Sequence, residues 1–106
     1  MARAKEIALF GGMWSGEEAL AIGLVNRVVP LAELDAFVDD WATTLAAGPP
    51  LALSMTKTLL RDSLASSMDE ALENEARCQS VNFASEDTNE ALAAFTEKRE
   101  PTYIGR

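Results

Sequence analysis

A chain of 106 residues, 48% hydrophobic and 25% charged, is one domain or part of one, with the composition of an ordinary globular protein. Seventeen acidic against nine basic residues leave a net charge of −8, which argues against nucleic acid or an anionic membrane as the main partner. Histidine is absent, so Ser-His-Asp triads, Cys-His pairs and imidazole metal sites are closed to this chain. Acid–base chemistry falls to carboxylates, lysine or tyrosine.

No run of 18 apolar residues suggests a membrane span, and Glu6 inside MARAKEIALFGG spoils it as a signal peptide. The single Cys78 has no partner for an internal disulfide and fits a reducing compartment. The expectation is a cytoplasmic protein that needs no metal. At this length a domain buries roughly 65% of its unfolded surface, a thin margin for folding alone.

In chain order, residues 2–10 read as a short helix stopped by Gly11 and Gly12. Met13 and Trp14 are a minimal strand candidate, to pair with part of 24–29. Ser15 with Glu18 three residues on is a capping box, opening a two-turn helix over 16–22. Gly23 sits where a helix end turns left-handed. Residues 24–29 are β-rich, and Pro30 ends them.

The clearest helical period spans 31–47. Leu31, Leu34, Phe37, Val38, Trp41 and Leu45 recur at steps of three and four, with Glu33, Asp35, Asp39 and Asp40 opposite. Trp41 reads as a core aromatic. Gly48 closes this helix, and Pro49-Pro50 restarts the chain with proline near the first helical position.

The helix over 50–65 is apolar on two rows: Leu51, Met55 and Leu59, then Leu53, Leu60 and Leu64. So wide an arc expects neighbours on several sides. Lys57 and Arg61 share a face, either simply solvated or suited to a phosphate. Ser67 with Glu70 is a second capping box, for a helix reaching about residue 84 that carries a Glu73–Arg77 pair. Glu70, Glu73 and Glu75 read as surface charge, and Cys78 as a packing residue. Ser85, or Asp87 with Glu90, starts the last helix. Lys98 and Arg99 at its end suit the helix dipole, Pro101 stops it, and the tail to residue 106 reads as extended or loose. Phe95 and Lys98 here are, on residue type alone, a core aromatic and a helix-terminal cation.

Taken together, SGEEALAIGLVNRVVP resembles the S-x-E-E-A-x-x-x-G-L-V-x-x-V-V-P signature of the crotonase superfamily, the enoyl-CoA hydratases and isomerases. Arg3-Ala4-Lys5-Glu6 resembles that family's R-A-K-E helix. AAGPPLALSMTKTLLR and ASEDTNEALAAFTEKREPTYIGR are similar to its C-terminal portion. The resemblance runs in order over nearly the whole chain, yet covers only the C-terminal part of the family domain. It implies a mainly α chain: the C-terminal helical region of a ClpP/crotonase-like fold, with one or two very short strands near the N-terminus. On this reading 1–30 form a helix-and-strand region and 31–106 a helical oligomerisation and CoA-end region, together one structural unit.

Family members bind acyl-CoA thioesters, stabilise a thioester enolate with two backbone amides, and in the hydratases use two glutamates. These groups lie upstream of the R-A-K-E helix, and no residue here matches them. No catalytic residue is therefore assigned. The F-x-E-K-R segment of the family resembles a clamp on the adenine and phosphate of CoA, which places that role on Phe95 and Lys98. The resemblance also implies homo-oligomeric packing through the C-terminal helices and no cofactor beyond the CoA thioester substrate. Two further readings stay open: a non-catalytic helical module for self-association or docking, and a truncated or proteolysed piece of an ordinary enzyme.

Overall fold

A computed structural model describes residues 2–106. Among the described residues six α-helices follow one another: α1 (Ala2–Phe10), α2 (Gly16–Ala21), α3 (Leu34–Ala46), α4 (Pro50–Asp62), α5 (Met68–Phe83) and α6 (Glu86–Glu97). A 3-10 turn, Leu31–Glu33, precedes α3. The chain divides into two compact units, one running through Asp40 and the other Trp41–Arg106.

In the first unit the capping box forms as read. Ser15 Oγ accepts from Glu18 N at 3.1 Å, and the Glu18 carboxylate accepts from Ser15 N at 2.8 Å. Gly23 takes φ +75°, the left-handed conformation that only glycine adopts cheaply. Arg3 reaches across from α1 to donate to Ile22 O at 2.7 Å. The two short strands do not form: among the described residues there is no strand at 13–14, at 24–29 or elsewhere. Two strands of this length are marginal. Val28 instead lies against the start of α2, where a Cβ on Gly16 would come within 3.0 Å of Val28 Cγ1.

In the second unit α4 packs on α5 and α5 on α6. Pro50 supplies the first residue of α4, where its missing N–H costs nothing. That helix stops at Asp62, three residues before the periodicity suggested. Ser63 Oγ donates to Leu60 O and Ser66 Oγ to Asp62 O, so hydroxyls satisfy the carbonyls that a further turn would have used. The second capping box is present at Ser67 and Glu70, and hydrogen bonds from Ser67, backbone first, hold the Glu70 carboxyl below its ordinary value.

The mainly helical expectation holds, but the core is small. Among the described residues the buried apolar side chains are Ala19 and Ala94, and the buried polar ones are Ser85 and Asp87. Trp41, expected inside, is 43% exposed. The accessible surface is 8767 Å², against roughly 16,500 Å² for an unfolded chain of this mass, so about half is buried where roughly 65% is usual.

Candidate functional site: the end of α6 and its return limb

α6 begins on Ser85, not on Asp87. Ser85 Oγ accepts from Thr88 N at 3.2 Å and donates to Asn82 O at 2.7 Å. Thr88 Oγ1 donates to the same carbonyl at 2.6 Å. These bonds tie the last turn of α5 to the first of α6. With the cap taken, the Asp87 carboxylate turns elsewhere. It is 2% exposed and accepts from Ile104 N at 2.7 Å and Gly105 N at 2.9 Å. Glu86 N and Asp87 N, orphan donors of the first turn, both donate to Arg106 O, at 2.6 and 3.2 Å.

The tail is therefore not loose. Residues 101–106 run back along α6 and are fastened to its first turn. Gly105 is required twice over: its φ is +80°, and a Cβ would lie 2.9 Å from Pro50 Cγ. Glu90, one turn after Asp87, is the second fastening. It accepts from Thr102 N at 2.9 Å and takes the Arg99 guanidinium as a fork, at 2.5 and 2.8 Å. Two parallel charge-assisted bonds of this kind combine strength with fixed geometry. The Arg99 fork, then the Thr102 amide, push the Glu90 carboxyl down to about 2. Arg99 Nε also donates to Glu97 at 2.6 Å, and both carboxylates raise the guanidinium above its ordinary value, Glu90 the more.

Between these fastenings lie the two residues singled out by sequence. Phe95 is 86% exposed, which removes the core-aromatic reading within this chain. Lys98 is exposed and ends α6 in the left-handed conformation, φ 56° and ψ 42°. The helix thus stops three residues before Pro101. Lys98 N donates to Phe95 O at 3.4 Å and Arg99 N to Ala94 O at 3.0 Å, the double closure that glycine usually makes at a helix end. An exposed ring and an ammonium at one helix end can stack on a planar heterocycle and pair with an anion. Arg99, engaged by two carboxylates, adds little net positive charge.

Other sequence candidates separate from this site. Arg61 pairs with Asp62 at 3.0 Å, and Glu73 pairs with Arg77 at 2.6 Å as the helical spacing implied. Cys78 is half-buried. Among the described residues no cluster of His, Cys, Asp or Glu forms a metal site, and no helix is long and apolar enough to cross a membrane. The Asp87–Glu90 fastenings were missed by sequence reasoning. Their only trace was an i, i+3 acidic pair, which read equally well as a cap.

Comparison with known proteins places this geometry in context. The family model described as enoyl-CoA hydratase/isomerase matches residues 1–106. The chain is 37% identical over 103 residues to the peroxisomal Delta(3,5)-Delta(2,4)-dienoyl-CoA isomerase of Arabidopsis thaliana, covering 96% of this chain and 37% of the relative. It is 32% identical over 99 residues to the short-chain-enoyl-CoA hydratase of Clostridium acetobutylicum, covering 93% and 38%. The crystal structure of an enoyl-CoA hydratase from Bacillus anthracis is similar at TM-score 0.92 and 31% identity, over 100% of this chain and 41% of that one. The chain spans about two-fifths of the length of such relatives.

Proposed function

The chain belongs to the enoyl-CoA hydratase/isomerase family of the crotonase superfamily, and from that premise we propose that it is the helical region of a protein acting on acyl-CoA thioesters. In this reading α6 offers Phe95 and Lys98 to the adenine and phosphate end of CoA. The observation that carries it is the exposure of both residues at one helix end, Phe95 at 86%. An aromatic face stacks on a purine with about 1–3 kcal/mol per base, and an ammonium meets phosphate as a point charge. Glu97 and Glu100 flank Lys98 in sequence, so phosphate attraction is weak and falls with salt.

The relatives include both a hydratase and an isomerase, so the likeness of this region is compatible with more than one reaction. No residue here matches the oxyanion hole or the glutamate pair implied by the family resemblance. We therefore read the 106-residue chain as non-catalytic on its own, requiring no cofactor. Calorimetric titration with CoA tests the contact: weak, salt-sensitive binding is expected, lost in Phe95→Ala and in Lys98→Ala. Equal binding by both variants would end the assignment, and hydration of a short enoyl-CoA above the buffer rate would end the non-catalytic reading.

A second reading, assembly, is favoured by a specific feature. An apolar groove of about 340 Å³ lies between α4 and α5, lined by Leu59, Leu60, Met68 and Leu72 among others, and Leu64 stands 88% exposed. Exposed apolar faces of this kind mark surfaces that bind another surface. Light scattering on a sizing column is expected to show a defined oligomer; a compact monomer at all concentrations would exclude this role.

A further inference from the structure

We infer that Glu90 and Arg99 are positioning residues, which hold Lys98 in its left-handed conformation and so fix the direction from which its ammonium approaches a ligand. The ligand half of this inference rests on the reading that Phe95 and Lys98 contact CoA; the conformational half does not.

Lys98 is the one non-glycine among the described residues with positive φ. A side chain with a Cβ is disfavoured there by contact with its own backbone. Such outliers persist only where the surroundings over-determine them. Here the surroundings are explicit. On the N-terminal side, α6 ends with the closure through Phe95 O and Ala94 O. On the C-terminal side, Arg99 is gripped by the Glu90 fork and by Glu97. Beyond Pro101, Thr102 N is bonded to the same Glu90. One carboxylate on α6 thus holds the chain at residues 99 and 102, just beyond Lys98, while the helix holds it on the other side.

Charge follows the same division. Arg99 spends its guanidinium on two carboxylates, and Lys98 forms no ion pair among the described residues. The turn therefore presents one ammonium, aimed by a neighbour whose own charge is occupied. A right-handed residue at 98 would send its side chain out in a different direction from the helix axis, away from the place that the left-handed backbone gives it.

The test uses the full chain with isotopic labels. The HN–Hα coupling and carbon shifts of Lys98 report the sign of φ, and a CoA titration on the same samples reports contact. Wild type is expected to show positive φ at Lys98. Glu90→Gln and the conservative Arg99→Lys, which keeps the charge but loses the fork, are expected to lose that signature and to weaken CoA by roughly tenfold, the worth of one charge-assisted bond. Lys98→Gly keeps positive φ, raises Tm and loses the CoA contact. Retention of positive φ in both Glu90→Gln and Arg99→Lys would overturn the positioning role, since the backbone closure would then suffice. If CoA shifts neither Phe95 nor Lys98 in the wild type, the ligand reading fails while the coupling data still decide the positioning.

Discussion

Two non-helical stretches of this chain have opposite fates. Residues 24–29, in the first unit, hold three valines, a residue strands prefer. They form no strand and leave Leu24, Val25 and Val28 exposed. Residues 101–106, in the second unit, hold only a three-residue run of that kind, Thr102-Tyr103-Ile104 between Pro101 and Gly105, yet three of their amides reach carboxylates of α6 and the Arg106 oxygen accepts from two amides of its first turn. The difference teaches that apolar propensity alone does not order a segment. Propensity needs a partner surface, whereas an acceptor placed at a fixed position supplies its own partner.

Substitutions can break or sharpen that contrast. The largest effect is expected at Asp87: Asp87→Ala removes a buried acceptor of two amides and should cost about 2 kcal/mol. It should also speed hydrogen exchange at Ile104 and Gly105 together; unchanged exchange would show that the limb is held otherwise. Gly105→Ala, with positive φ and Pro50 in the way, should cost about 1–2 kcal/mol, read as a lower urea midpoint. Across the contrast, Val28→Ala in the unfastened run should stay within about 0.5 kcal/mol, as surface changes do. A larger loss would mean that the Gly16–Val28 contact organises the first unit.

The smallest expected effect concerns pH. Glu90, at about 2, lies below the ordinary carboxyl value, near 4.3. A depressed carboxyl stabilises fully above its unfolded value, and that contribution fades as pH falls through the folded one. The Thr102 amide resonance should therefore hold steady from pH 7 to about 4.5 and move only as pH approaches about 2. Movement near pH 5 would dissolve the Glu90 fastening.

What was legible in the sequence was local. The Ser15 and Ser67 capping boxes, the Gly23 turn and the helical period from Leu34 to Leu45 all depend on residues within a few positions of one another, and all appear in the structure. The fastened tail was not legible, because Asp87 meets Ile104 and Gly105 across 17 and 18 positions. Nor was the ending of α6, where lysine occupies a conformation that residue type assigns to glycine. The strands and the burial of Trp41 failed for a shared reason: both depend on packing partners that no local pattern specifies. Phe95 and Lys98 were singled out by resemblance; their exposure is a property of the folded chain.

The meeting of Arg106 O with the amides of Glu86 and Asp87 changes how α6 must come apart. A helix ordinarily frays from each end independently, since its first and last turns share no bonds. Here the first turn holds the tip of the return limb, and Glu90, one turn further on, holds that limb again at Thr102 and takes the Arg99 guanidinium from just beyond the helix end. The loop from Glu86 to Arg106 is closed without a covalent link. Loosening one end slackens the other, so the two termini should open as one cooperative step rather than two.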